Sequence, residues 1–178
     1  MPSSQPCSTP STSCTASANA KPKRDKGRGE RLWPWSRRPA SALLDTNVVS
    51  ELRKVGDGKA DRNVVAWLSG VDAGAFYVSA ITLMELQLGI LLIERRDVPQ
   101  GAKLRTWMDD HVLAEFSERT LPVDTPVALR CARLHVSSPL PERDALIAAT
   151  ALVHGMIVVT RHLADFERTG VPLLKPWV

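Results

Sequence analysis

Leu43-Leu44-Asp45-Thr46-Asn47-Val48-Val49-Ser50-Glu51-Leu52-Arg53-Lys54 is the stretch from which the rest of the chain is read. Short apolar residues run straight into a carboxylate, and a polar turn then opens an amphipathic segment. An apolar strand ending in Asp puts that Asp at the carboxyl edge of a sheet, where open α/β sheets bind ligands. Asp, Thr and Asn ahead of a helix are also ordinary caps, since each accepts hydrogen bonds from free helix N–H groups. On this stretch alone Asp45 stands between those two roles. Three further acids at strand edges or helix starts, in the order one shared site requires, tip it toward function.

Working outward, Asn47–Arg53 reads as a short helix with Val48, Val49 and Leu52 inward, broken by Gly56-Asp57-Gly58. Asp61 to Val71 reads as a second helix capped by Asp61, with Val64, Val65 and Leu68 at helical spacing. Ala75–Ser79 is β-rich and short, a strand. A helix follows from Ser79 with Leu83, Leu86, Ile90 and Ile93 on one face and Glu85 one turn in. Asp97-Val98-Pro99 restarts the chain, and Leu104, Trp107, Met108, Leu113 and Phe116 form the apolar side of the next helix. The short loop between these two helices makes an antiparallel hairpin.

Thr120–Val123 reads as a short edge strand, where Pro122 is tolerated. Thr125 to about Val136 is a helix with Cys131 and Leu134 inside, and Ser138-Pro139-Leu140-Pro141 a rigid connector. Glu142–His154 is Ala-rich and apolar around most of its circumference, hence buried, and Gly155 stops it. Met156–Thr160 is a continuous apolar strand of the kind found inside a parallel sheet. Arg161–Glu167 is a loop or helical turn, and Val171–Leu174 a last short strand. Strands alternate with helices and no internal repeat is visible. The fold class is therefore α/β, a parallel sheet covered on both faces.

The 178 residues suffice for one domain with a sizeable core. Composition divides them. Residues 1–42 hold eight basic and two acidic residues, a balance of +6, while residues 43–178 hold 15 basic and 17 acidic, a balance of −2. The basic character belongs to the N-terminal extension, residues 1–41, which has too little apolar surface to offset its ordering entropy and reads as disordered; residues 42–178 form the domain. The run Lys21–Arg31 either touches RNA phosphates or is simply solvated. Trp33-Pro34-Trp35 either docks on the domain or meets a partner. A start near Ala42 would leave the domain intact. The extension has no apolar core of a secretory signal, though its Ser- and Arg-rich composition is compatible with an organelle transit peptide. No apolar run is long enough to span a membrane. Cys7, Cys14 and Cys131 form neither a disulfide framework nor a zinc site, which fits a reducing cytoplasm.

Asp45, Glu85, Asp144 and Asp165 each lie at or shortly after a strand end, or at a helix N-terminus, and parallel strands bring all those points to one edge. Carboxylates so gathered repel one another, and some take up protons unless a cation sits among them. The natural cation is hard and oxygen-seeking, Mg²⁺ or Mn²⁺, and such a cluster suits phosphodiester cleavage. Each acid also has a structural alternative: a cap for Asp45 and Asp144, an ion pair with Arg53 or Lys54 for Glu85, a surface turn for Asp165. Thr160 either positions water or metal or merely ends a strand. Arg143, Arg161 and His162 either bind phosphates or balance the acids' charge. His154 meets a helix dipole, and His111 and His135 join no constellation.

Leu-Leu-Asp45-Thr-Asn47-Val-Val-Ser-Glu-Leu resembles the first motif of PIN-domain proteins, and Tyr77-Val-Ser-Ala-Ile-Thr-Leu-Met-Glu85-Leu-Gln-Leu-Gly89-Ile the second. Asp144-Ala-Leu-Ile-Ala-Ala-Thr-Ala and Val158-Val-Thr160-Arg-His-Leu-Ala-Asp165-Phe166 resemble the third and fourth. The wording is similar to VapC toxins of type II toxin–antitoxin systems, in their FitB-like branch. The resemblance implies a PIN-like three-layer α/β/α fold and a metal-dependent endoribonuclease. It implies that Asp45, Glu85, Asp144 and Asp165 make the acidic site, with Asn47 and Thr160 in support. A homodimer and a small antitoxin whose C-terminal tail fills the site are implied as well. His162 departs from the pattern, which often has Asn there. In the expected reaction, Asp45, Asp144 and Glu85 hold one metal and Asp165 orients a second metal or the attacking water. Two alternatives stand beside it. One is a catalytically silent PIN domain that binds RNA or a partner. The other is a haloacid dehalogenase-type phosphatase with Asp45 as nucleophile, which needs an Asp where Asn47 stands.

Overall fold

The computed structural model describes residues 41–137 and 139–177. All of the expected N-terminal extension except Ser41, with its basic run, its Trp33-Pro34-Trp35 and its two cysteines, lies outside the described residues, as does Ser138. The elements run β1 (Ala42–Leu44), α1 (Thr46–Arg53), α2 (Arg62–Ser69), β2 (Phe76–Ser79), α3 (Ala80–Glu94), α4 (Val98–Trp107), β3 (Thr120–Leu121), α5 (Thr125–Ser137), α6 (Glu142–His154), β4 (Ile157–Val159), α7 (Leu163–Phe166) and β5 (Leu173–Leu174). The strands form one sheet in the order β3-β2-β1-β4-β5, every pair parallel. Leu43 stands opposite Tyr77 on one side and Val158 on the other.

Strand alternation sorts the core into two layers. Ala42, Leu44, Phe76, Val78, Ile157 and Val159 pack with Val48, Val49, Leu86, Ile90 and Leu104 on one face of the sheet. Leu43 and Val158 pack with Ile147, Ala148, Ala151 and Phe166 on the other. Helices thus cover both faces, the three-layer α/β/α arrangement expected from the sequence. Fully burying each Val, Leu, Ile or Phe side chain among these contributes about 1.5–3 kcal/mol.

Caps set the helix starts. Asp61 accepts from the N–H groups of Asn63 and Val64 at the head of α2, and Asp97 from that of Gln100 at the head of α4. Gly155 closes α6 at φ +66, a backbone conformation that L side chains rarely adopt. Several details differ from the sequence reading: β3 is Thr120–Leu121 and not Thr120–Val123, and β5 is Leu173–Leu174 and not Val171–Leu174. Ala75 belongs to a 3₁₀ turn, Ala73–Ala75, capped by Asp72, so β2 begins at Phe76. α4 passes into a π-helical segment, Met108–Leu113, which buries Val112 and leaves Leu113 43% exposed. On α3, Thr82 is buried and Ile93, in the last turn, is 36% exposed. Among the described residues no helix is long and apolar enough to cross a membrane.

Candidate active site

Asp45 is the first residue beyond β1 and is 6% exposed. Its N–H donates to the carbonyl of Val159 (3.0 Å), so the ladder with β4 pins its backbone. Its Oδ1 accepts from the N–H of Thr46 at 2.7 Å. Its Oδ2 accepts from Thr160 Oγ1 at 2.6 Å and from Asn47 Nδ2 at 2.5 Å. The capping and site roles weighed for Asp45 therefore coexist in one carboxylate. Three of its roughly four lone-pair positions are used, and one remains open on Oδ1. Burial raises its pKa above the usual carboxylate range and the charge of Glu85 adds to this, against the hydrogen bonds from Thr160, Thr46 and Asn47.

Asn47 and Thr160 lock this corner. Asn47 Nδ2 also reaches Thr160 Oγ1 (3.1 Å), and its Oδ1 accepts from the N–H of Arg161 (3.0 Å). Thr160, wholly buried, accepts in turn from the N–H of His162 (3.0 Å). The start of α1 and the end of β4 are thereby clamped around Asp45.

Glu85, a turn and a half into α3, accepts from Thr46 Oγ1 at 2.5 Å and faces Arg143 Nη1 at 3.4 Å. The pairing with Arg53 or Lys54 considered from sequence does not occur. Those residues lie at the far end of α1, and Lys54 pairs with Glu51 at 2.8 Å. Asp144 stands in the first turn of α6, whose start has no side-chain cap, so its capping alternative is not realised. Burial, followed by the charges of Asp165, Asp45 and Glu85, pushes Asp144 up to about 6, with His162 opposing. Asp165 is exposed on α7. All four acids line one cleft of about 430 Å³ together with Asn47, Arg143 and His162.

Arg161 is the exception among the expected side chains. Its guanidinium lies 4.7 Å over the ring of Trp177 and 3.7 Å from Glu51 Oε2, so only its backbone N–H serves the site. Sequence reasoning missed Thr46, Ser50, Leu88, Gly89 and Leu92, which also line the cleft. Spacing carried that signal. Glu85, Leu88, Gly89 and Leu92 follow i, i+3, i+4, i+7, and Thr46 and Ser50 are four apart, so each set shares a helix face. Among the described residues no three His, Cys, Asp or Glu side chains close tightly enough to grip an ion as they stand. Four of the side chains facing the cleft are carboxylates, whose oxygens are what hard divalent cations take.

The PIN-domain family model matches residues 42–171. The chain belongs to the PIN-domain family. This PIN domain is 34% identical over 143 residues to VapC ribonuclease Y4jK of Sinorhizobium fredii, covering 76% of this chain and 96% of that protein. It is equally 34% identical over 143 residues to Toxin FitB of Neisseria gonorrhoeae, covering 76% and 97%. The crystal structure of FitAcB from Neisseria gonorrhoeae superimposes on the PIN domain with a TM-score of 0.69 at 34% identity, covering 76% of this chain and 98% of that one. Both the three-layer fold and the family expected from the motifs are borne out.

Proposed function

We propose that this PIN domain is an endoribonuclease that acts as the toxin of a toxin–antitoxin pair. The observation that carries the reading is the meeting of Asp45, Glu85, Asp144 and Asp165, from four separate segments, in one cleft. Two relatives support it, one named a ribonuclease and one a toxin. Mg²⁺ or Mn²⁺ fits the donor set: four carboxylates face the cleft, and burial with the charges of its acidic neighbours pushes Asp144 up to about 6. Asp45, Glu85 and Asp144 would hold the ion, with Asp165 placed toward a second ion or the attacking water. Such an ion, when bound, lowers the pKa of water and offsets charge growing on the phosphate.

The chain's own side chains do the remaining work. Thr160, Asn47 and the N–H of Thr46 fix Asp45 so that its free lone pair points in one direction. Thr46 Oγ1 fixes Glu85. Arg143, half exposed beside Glu85, is positioned to take a substrate phosphate, and His162 borders the same cleft. The domain balance of −2 makes such local cations the source of RNA affinity. The reading includes a small antitoxin whose tail fills the cleft, a homodimer, and action in the cytoplasm where the RNA is.

The test is cleavage of RNA by the purified chain with Mg²⁺ or Mn²⁺, with EDTA as control. Products with 5′-phosphate and 3′-hydroxyl ends are expected. Asp45→Asn should reduce cleavage, and growth arrest on expression, to background while the circular dichroism spectrum is kept. Full activity in Asp45→Asn would remove the assignment.

A further inference from the structure

Beyond β4 the chain leaves the sheet and reaches the cleft at His162 by way of Arg161. Thr160 is still held by the ladder, its N–H donating to the carbonyl of Leu174 at 3.0 Å. Arg161 instead meets α1 twice. Its backbone N–H donates to Asn47 Oδ1 at 3.0 Å, and its Nη2 lies 3.7 Å from Glu51 Oε2. Asn47 and Glu51 are four residues apart on α1, so one face of that helix grips both ends of a single residue. Glu51 is 4% exposed and is itself fixed. Its Oε1 accepts from the N–H of Asp61 at 2.9 Å and its Oε2 from Lys54 Nζ at 2.8 Å. The Trp177 ring lies 4.7 Å from the Arg161 guanidinium, a cation–π contact. That ring packs against the core layer of Leu44 and Val78, and its indole N–H is buried with no acceptor among the described residues. Packing and the ring face, not a hydrogen bond, therefore set its place.

We propose that Glu51, Arg161 and Trp177 form an anchor that orients the Asp45 carboxylate through Asn47. As a role in metal binding and cleavage, it rests on the ribonuclease reading given above. The link is the Asn47 amide, whose two ends have nearly the same shape but opposite hydrogen-bonding character. Its Nδ2 donates to Asp45 Oδ2 at 2.5 Å and to Thr160 Oγ1 at 3.1 Å. Turned over, the amide would set its own oxygen against the Asp45 oxygen, acceptor against acceptor. The N–H of Arg161 holds Oδ1 on the other side, and it does so only while Arg161 stays against α1. Past the strand end no ladder keeps it there. The side chain does, because a flat cation can face a carboxylate and a ring together. The rival role for that side chain, nearly half of it exposed at 46%, is direct contact with a substrate phosphate.

The experiment compares the full chain with its variants by three readouts: amide hydrogen exchange at Arg161 by nuclear magnetic resonance, Mn²⁺ affinity by titration calorimetry, and kcat and KM for RNA. Glu51→Gln keeps the shape and the oxygen that Asp61 uses while removing the charge. Trp177→Leu keeps apolar packing without the ring. Both should speed exchange at Arg161 about fivefold or more. Trp177→Phe restores an aromatic face and should return exchange to the parental rate. Lys54→Met removes the nearest partner of Glu51 but no contact of Arg161, and should leave exchange unchanged. In Glu51→Gln and Trp177→Leu, Mn²⁺ affinity and kcat should fall about threefold or more at constant KM, short of the roughly 10–100-fold expected for Asn47→Ala. In the Asn47→Ala background, Glu51→Gln should add nothing further to either loss. Should Glu51→Gln or Trp177→Leu fail to fold, Arg161→Met changes only the exposed head of the side chain and carries the same expectations. Unchanged exchange in the folded variants would overturn the anchor, and so would full additivity of Glu51→Gln with Asn47→Ala. An Arg161→Met chain with raised KM, a shallower salt dependence and parental kcat would assign the guanidinium to a phosphate and overturn it too. If the parent bound no Mn²⁺ and cut no RNA, the ribonuclease reading would fall, while exchange at Arg161 would still decide whether the anchor exists.

Discussion

Asp144 lies among three other carboxylates, and burial with their charges pushes it up to about 6 from an ordinary 3.8. Between those values the folded chain binds more protons than the unfolded one, so stability without metal falls as pH rises through that window. Asp144→Asn removes the cause. Its side chain is partly exposed, so after solvent screening the gain is roughly 1 kcal/mol, about 3–5 °C in Tm. The gain should be full above pH 6 and absent below pH 4, as thermal melts at the two ends would read; a lower Tm at pH 7 would contradict the electrostatic account. In the parent, added Mg²⁺ or Mn²⁺ should raise Tm with the logarithm of its concentration, a response that Asp144→Asn loses. Thr46 acts on Glu85 through one hydroxyl. Thr46→Val keeps the shape and deletes that donor, and outer contacts of this kind are typically worth 10–100-fold in activity or metal affinity. Cleavage should fall by that factor with the melting curve nearly unmoved.

At the scale of elements, the α3–α4 hairpin closes where Gly101 packs against Glu94. A Cβ on Gly101 would stand 2.7 Å from the Cα of Glu94, closer than real contacts allow. Gly101→Ala should therefore cost about 1–3 kcal/mol by prying the two helices apart, read as a lower urea midpoint with an unchanged slope. Other elements were legible from sequence because their ends are marked chemically. Asp61 and Asp97 start helices, and Glu142–His154 is framed by Pro141 and Gly155. The segment after Trp107 was not legible. Leu104, Met108, Val112 and Phe116 are buried at steps of four. An unbroken α-helix turns once in 3.6 residues and carries such a series gradually off one face; the wider i→i+5 turns of Met108–Leu113 bring it back. An α-helical reading therefore placed Leu113 inside. In the site, the four acids were legible because each adjoins a strand end or a helix start, and chain topology fixes those points. Partners were not, because side-chain direction is set by packing: Glu51, buried on α1, draws both Lys54 and Arg161.

At the scale of the whole molecule, the middle strand comes first in the domain and one of its two neighbours nearly last. β1 pairs with β2 on one side and with β4 on the other. Leu43 is completely buried, and its layer is completed by Met156, Val158, Phe166 and Val171. A chain ending at Gly155 would keep β1, β2, β3 and six helices but lose those four side chains. At about 1.5–3 kcal/mol each, the loss is roughly 6–12 kcal/mol, as large as the whole stability of a typical domain. It would also leave the inner edge of β1 unpaired, with no Val159 carbonyl for the N–H of Asp45 and no Thr160 hydroxyl for its carboxylate. Such a chain should show no cooperative urea transition by circular dichroism and should bind a hydrophobic dye in buffer alone. A sharp transition would mean that the first three strands fold as a unit by themselves. In that case the cleft would be a joint between two independently stable halves. With cooperativity lost, the acids have no fixed arrangement until the last two strands of the sheet are in place, and one folding event builds both core and cleft.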